Sequence, residues 1–252
     1  MNGPDNSPAS HSAESSGAAT LAIESVAKHF GGITAVRDVS LSVDAGEVVG
    51  VIGPNGSGKS TLFSLASGGQ KPDAGRIKVN GVDVTAWPTW KIARAGVSRT
   101  FQIPSLFINM SVRDNLLAAA VEGDWKQAGK RMQQTLESLE ISHVIDNLGA
   151  ELSGGQQKLV EFGRICMRDP KVVLLDEVTA GVHPNIRKII LEAIESLRKT
   201  GIAFLIIEHD MEMVRKICDR LVVMDQGSIV AQGSFEAIAS DVNVQQAYLG
   251  RT

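Results

Sequence analysis

Cysteine is scarce: Cys166 and Cys218 are the only two, they lie in different periodic segments, and they match no metal-ligand spacing. That excludes a disulfide-stapled scaffold or a zinc module and reads as two small core residues in a reducing compartment. Long apolar runs are missing too. The most apolar stretches, such as Ala203-Phe204-Leu205-Ile206-Ile207, fall far short of the ~20 residues of a membrane helix, so the chain is not expected to span a bilayer. Nor is one sign of charge in large excess. A formal net charge of −3 over 252 residues gives no general pull toward nucleic acid or anionic lipid, so any polyanion must be held locally. Residues 1–19 hold no bulky apolar residue beyond Met1. They cannot order themselves and contain no signal-peptide core, so a disordered tail is expected before a folded unit at 20–252.

Glycine is present where an anion could use it. The apolar run Val48-Val49-Gly50-Val51-Ile52 leads into Gly53-Pro54-Asn55-Gly56-Ser57-Gly58-Lys59-Ser60-Thr61. Glycines at this spacing let successive N–H groups turn inward as a phosphate-sized nest. The breaker-free segment 59–67 predicts a helix whose positive end meets the same ligand. In the pattern G-x-x-x-x-G-K-[ST], carried by Gly53, Gly58, Lys59 and Ser60, the lysine reaches the outer phosphates and the hydroxyl of Ser60 ligates Mg²⁺. A nucleoside triphosphate fits.

Around this loop, 21–26 and 39–43 alternate apolar and polar residues as half-buried strands do, and Asn80-Gly81 marks a hairpin. Residues 110–150 carry Met132, Leu136 and Leu139 at helical spacing and predict a helical subdomain. The continuous apolar segments 172–175 and 203–207 flank a helix with Ile186, Ile189, Ile190, Ala193, Ile194 and Leu197 on one face, a β-α-β unit with a parallel sheet. The expected class is α/β, with a helical subdomain at about 103–168 inserted in the core.

Val172-Val173-Leu174-Leu175-Asp176-Glu177 ends a buried strand in two carboxylates, where parallel sheets hold their ligands. Asp176 suits Mg²⁺ and Glu177 suits a base for attacking water; alone, they would read as ordinary acids at a strand end. Ser153-Gly154-Gly155-Gln156 opens a helix running to about Arg168 with a capping-box spacing, and its glycines leave N–H groups open to a second phosphate cluster.

With GPNGSGKST, LSGGQ, VVLLDE, Thr100-Phe101-Gln102 and Glu208-His209-Asp210 in this order, the sequence resembles an ATP-binding cassette (ABC) ATPase over about residues 21–250. The resemblance implies a P-loop ABC fold and two cassettes paired head to tail, with ATP and Mg²⁺ between the phosphate loop of one and the LSGGQ signature of the other. It implies that Gln102 senses Mg²⁺ and the γ-phosphate, that His209 contacts the γ-phosphate, and that Phe30 stacks on adenine. A core place for Phe30 is the alternative. Two positions depart from the family pattern: Val178 replaces its usual proline and His183 the D-loop aspartate, so no role across the dimer is carried over to His183.

Phe30-Gly31-Gly32, Arg99-Thr100-Phe101-Gln102, Asn115-Leu116-Leu117 and Ala247-Tyr248-Leu249-Gly250 are similar to ATPase subunits of branched-chain amino acid importers and their urea or amide relatives. Such a subunit lies in the cytoplasm, peripheral at the inner face of the membrane, and works with transmembrane permease subunits, a second ATPase chain and a substrate-binding protein, without nucleic acid. The apolar segment 103–110 then reads as a groove for a permease helix, or as packing under the helical subdomain. The competing class is a soluble ABC ATPase acting on nucleic acid or ribosomes; twin cassettes, long coiled-coil inserts and metal-binding cysteines, its usual marks, are not in the sequence.

Overall fold

The computed structural model describes residues 19–100, 105–120, 125–242 and 244. The expected tail, Gln102 and the Ala247–Gly250 motif lie outside the described residues, apart from Ala19 at the tail's end.

Alternation builds the first sheet. Strands β1 (Leu21–Phe30) and β2 (Ile33–Val43) pair antiparallel, with Leu21, Ile23, Val36, Val39 and Leu41 buried while Glu24 and Arg37 face out. Strand β4 (Ala74–Val79) adds to the other edge of β1 and turns into β5 (Val82–Asp83). Asn80 (φ 48°) and Gly81 (φ 77°) make that turn between the facing residues Val79 and Val82, the positive φ pair of a type I′ hairpin.

The second sheet runs β10-β9-β3-β8-β7-β6. Its parallel strands are β3 (Val48–Ile52), β6 (Val97–Arg99), β7 (Val172–Asp176), β8 (Ala203–Ile207) and β9 (Arg220–Asp225); β10 (Ser228–Gly233) is antiparallel. Period-2 geometry divides its side chains between two cores. Val49, Val51, Leu174 and Leu205 join helix α1 (Lys59–Ala66) and the first sheet. Val48, Val173, Leu175, Phe204 and Ile206 face the helices that lie between residues 112 and 217. With both faces covered, β3, β7 and β8 are buried throughout, hence their unbroken apolar runs.

After α2 (Thr89–Arg94) and β6 come α3 (Val112–Leu117), α4 (Trp125–Ser138) and α5 (Gly154–Cys166). They pack where Gly163 of α5 leaves room: a Cβ there would stand 2.9 Å from Leu116 and 3.1 Å from Thr135. Helix α6 (Pro184–Arg198) buries Ile190, Ala193 and Ile194 as its periodicity predicts. Helices α7 (Met211–Ile217) and α8 (Phe235–Ser240) complete the described chain. Both cysteines are free and pack against the core, and burial pushes each thiol up to about 12. Among the described residues no helix is long and apolar enough to cross a membrane.

Candidate active site

Strands β3, β7 and β8 are neighbours and parallel, so the segments that leave their carboxyl ends open at one edge of the sheet. From β3 comes the 53–61 loop. Gly53 (φ 151°) and Gly58 (φ 102°) take backbone conformations that L side chains rarely adopt, and a Cβ on either would collide with a carbonyl, of Met224 or of Ala35. Glycine is therefore required at both by strain and by space. Lys59 is buried, and its Nζ donates to Gly53 O at 2.8 Å and Pro54 O at 3.0 Å, arching over the loop. Burial lowers its pKa, while the nearby charges of Glu177 and Asp176 act the other way. The first turn of α1, which holds Ser60 and Thr61, carries neither a side-chain cap nor an acidic residue. Among the described residues the Ser57 hydroxyl is buried without a hydrogen-bond partner. A cradle of glycines, an uncapped helix start, a buried ammonium and an orphaned hydroxyl fit an anion.

From β7 come the two carboxylates. Asp176 is buried, its N–H donates to Thr100 Oγ1 at 3.1 Å, and its Oδ2 accepts from Arg99 Nη2 at 3.1 Å. Glu177 has φ 50°, a left-handed conformation that costs a non-glycine residue about 1–3 kcal/mol and recurs at functional positions. From β8 comes His209, whose Nε2 lies 3.0 Å from Glu177 Oε1. The register that pairs Asp176 with Ile207 brings these distant positions together. Among the described residues no group of three His, Cys, Asp or Glu forms a metal cage. One carboxylate plus a serine hydroxyl instead fits Mg²⁺, which takes few protein ligands and fills its sphere with phosphate oxygens and water.

The signature residues sit elsewhere. Ser153 caps α5: Gln156 N donates to Ser153 Oγ at 3.3 Å, and Ser153 N to Gln156 Oε1 at 2.9 Å. Gly154 leaves the helix end open, and Gly155 lies against Ile186. Among the described residues no hydrogen bond or ion pair joins 153–156 to the 53–61 loop. Phe30 is 44% exposed, which removes its core reading, and the ammonium of Lys28 lies 5.6 Å from its ring centroid. His183 is the N-cap of α6, its Nδ1 accepting from Asn185 N at 3.3 Å. Sequence reasoning used Arg99 and Glu208 only as letters of motifs and gave no chemical role to either, or to Thr179 or Lys158; a charged residue directly after a buried strand was the available signal for Glu208.

The model of the ABC transporter family matches residues 36–180. A probable branched-chain amino acid transport ATP-binding protein, LivG of Archaeoglobus fulgidus, is 38% identical over 91% of this chain and 95% of its own length. The lipopolysaccharide export system ATP-binding protein LptB of Escherichia coli (strain K12) is also 38% identical, over 92% of this chain and 98% of its own. Among solved structures, the ADP conformation of MJ1267, an ATP-binding cassette of an ABC transporter, superposes with a TM-score of 0.84 at 36% identity, covering 92% of this chain and 99% of that one.

Proposed function

This chain is an ATP-hydrolysing member of the ABC transporter family, and from that premise we propose that it pairs head to tail with a second ATPase chain to power an importer of branched-chain amino acids or related small polar solutes. The observation that carries the catalytic part is the meeting of Lys59, Asp176, Glu177 and His209 at the open edge of β3, β8 and β7. Glu177 takes the proton of the attacking water, and His209 holds the carboxylate at the angle that its φ of 50° sets. Lys59 offsets charge on the outer phosphates, and the amides of 53–61 orient them. Ser60 and Asp176, with Gln102 by resemblance, would hold Mg²⁺, which would supply further charge neutralisation at the phosphate oxygens. Phe30 offers its open face to the base. Ser153, Gly154, Gly155 and Gln156 serve the site of the other chain, which accounts for a helix end with no tie to its own phosphate loop.

The solute class rests on LivG; the equal identity to LptB favours lipopolysaccharide export as the second reading. Either reading places the chain in the cytoplasm against permease subunits, the importer adding a substrate-binding protein. We take 20–252 as one cassette with its helical subdomain at about 103–168. Within that part Phe107 and Ile108 are 49% and 56% exposed, while Leu106 packs on the core. A cavity of about 400 Å³ lined by Arg99, Ser105, Phe107 and Arg164 adjoins them. Asn115 ties Phe107 down, its Oδ1 accepting from Phe107 N and its Nδ2 donating to Phe107 O. This is the seat for a cytoplasmic helix of the permease. Purification of the chain from its own membranes should bring two multi-span proteins with it, and Phe107→Asp with Ile108→Asp should release them while ATP binding persists. An unchanged complex with normal ATP-driven uptake by that double variant would eliminate this seat.

A further inference from the structure

Glu208 stands directly before His209 and is 3% exposed. Its Oε1 accepts from both the N–H and the hydroxyl of Thr179, each at 3.1 Å. Thr179 lies two residues beyond Glu177. One buried carboxylate thus ties the segment that carries the base to the segment that carries the histidine. Proton abstraction makes no use of it, and burying such a group is costly.

A second contact leads away from the site. Lys158 Nζ donates to Ala180 O at 2.6 Å, and Lys158 belongs to α5, the helix that Ser153 caps. Its ammonium also feels the charges of Glu208, Glu161 and Glu177. A continuous line of contacts therefore runs from Glu177 and His209 through Glu208, Thr179 and Ala180 to Lys158 on the signature helix.

We propose that Glu208 is a positioning residue, and that Glu208, Thr179, Ala180 and Lys158 carry the state of this chain's own Glu177–His209 site to the signature helix that it lends to a second copy. The proposal rests on the head-to-tail reading above. It gives the two sites of a dimer a route of coupling inside each chain, made of packed, hydrogen-bonded groups.

Mixed dimers of full-length chains test it. When Lys59→Ala chains are mixed with Ser153→Arg chains, the whole site has the phosphate loop of the Ser153→Arg chain and the signature of the Lys59→Ala chain. Glu208→Ala in the Ser153→Arg chain acts beside that site; in the Lys59→Ala chain it acts through the lent helix. Turnover should fall on the order of tenfold in both placements, with half-saturating ATP nearly constant. Glu208→Gln, whose amide oxygen still accepts from Thr179, should recover most of the loss, and Lys158→Met should reproduce it in the Lys59→Ala chain. Each chain alone is checked by thermal melting and binding of a fluorescent ATP analogue. Thr179→Val, which removes one donor at nearly constant shape, replaces any Glu208 variant that fails to fold. Full turnover with Glu208→Ala, or with Thr179→Val where it is the substitute, in the Lys59→Ala chain overturns the proposal, as does an equal loss for Gln and Ala at 208. If the parent mixture regains no activity, the head-to-tail reading falls and takes the proposal with it.

Discussion

Two glycines of the phosphate loop separate the cost of backbone strain from the cost of space. Gly56 (φ 80°) has nothing within 4 Å of where a Cβ would stand, whereas at Gly58 (φ 102°) that atom would press into Ala35 O of β2, well inside the 3.0 Å that real Cβ atoms keep. Ala at 56 therefore bears the conformational cost alone, about 1–2 kcal/mol, or a fall in Tm of roughly 2–8 °C for a chain of this size. Ala at 58 adds an overpacking cost of about 1–3 kcal/mol to strain of similar size, for a total of about 2–6 kcal/mol. The relief available is a shift of the loop itself, because Ala35 belongs to β2, which a hydrogen bond of 2.7 Å from Arg37 N to Gly227 O ties to the turn at 227. A shift of about 1 Å in groups that position phosphates costs on the order of 10²-fold. Calorimetry and titration with a fluorescent ATP analogue should show Gly58→Ala with the larger fall in Tm and at least a tenfold greater loss of affinity than Gly56→Ala. Equal affinities in the two variants would refute the steric argument and leave only φ.

Glu177→Gln should keep ATP binding and lower hydrolysis by about 10²–10⁴-fold, accumulating an ATP-bound dimer on size exclusion; turnover at the parent rate would remove Glu177 as the base. Stability should depend on pH through Glu208, whose pKa burial raises above its ordinary 4.5. The folded chain binds that proton more tightly than the unfolded one, so the contribution is whole below 4.5 and is lost as pH climbs through the folded value. Since Gln does not ionise, the melting temperature of Glu208→Gln should gain on the parent as pH rises above that range; a gap constant with pH would contradict a buried, ionising Glu208.

Legibility in the sequence followed the reach of each interaction. The Asn80-Gly81 turn, the cap formed by Ser153 and Gln156 and the glycine loop depend on residues a few positions apart, and the structure has them where local rules put them. Ends of elements were looser. Helix α1 stops at Ala66 and α5 at Cys166, each slightly short of the expected length: left-handed Gly68 (φ 72°) follows the first, and left-handed Asp169 (φ 52°) with Pro170 follows the second. The segment near 107 divided between both of its readings, Leu106 in the core and Phe107 and Ile108 outside. Contacts across the sheet were invisible one strand at a time. Glu177 meets His209 only through the register of β7 and β8, and Arg99 meets Asp176 only because β6 is the neighbour of β7.

The two departures from the family pattern acquire a physical meaning from these contacts. Val178 is buried in the helical core, so the position asks for apolar volume that either valine or proline supplies. His183 keeps a local duty, since its Nδ1 caps α6. An imidazole in place of a carboxylate leaves the 177–183 segment without the aspartate of the family pattern at this position. What fixes the segment is then internal: Glu208 on Thr179, Lys158 on Ala180, and the cap at His183. Of these three anchors Lys158 is the one that ties the segment to that chain's signature helix, and on the coupling proposed above Glu208→Ala in a chain whose own ATP site is disabled should still be felt at the site it completes.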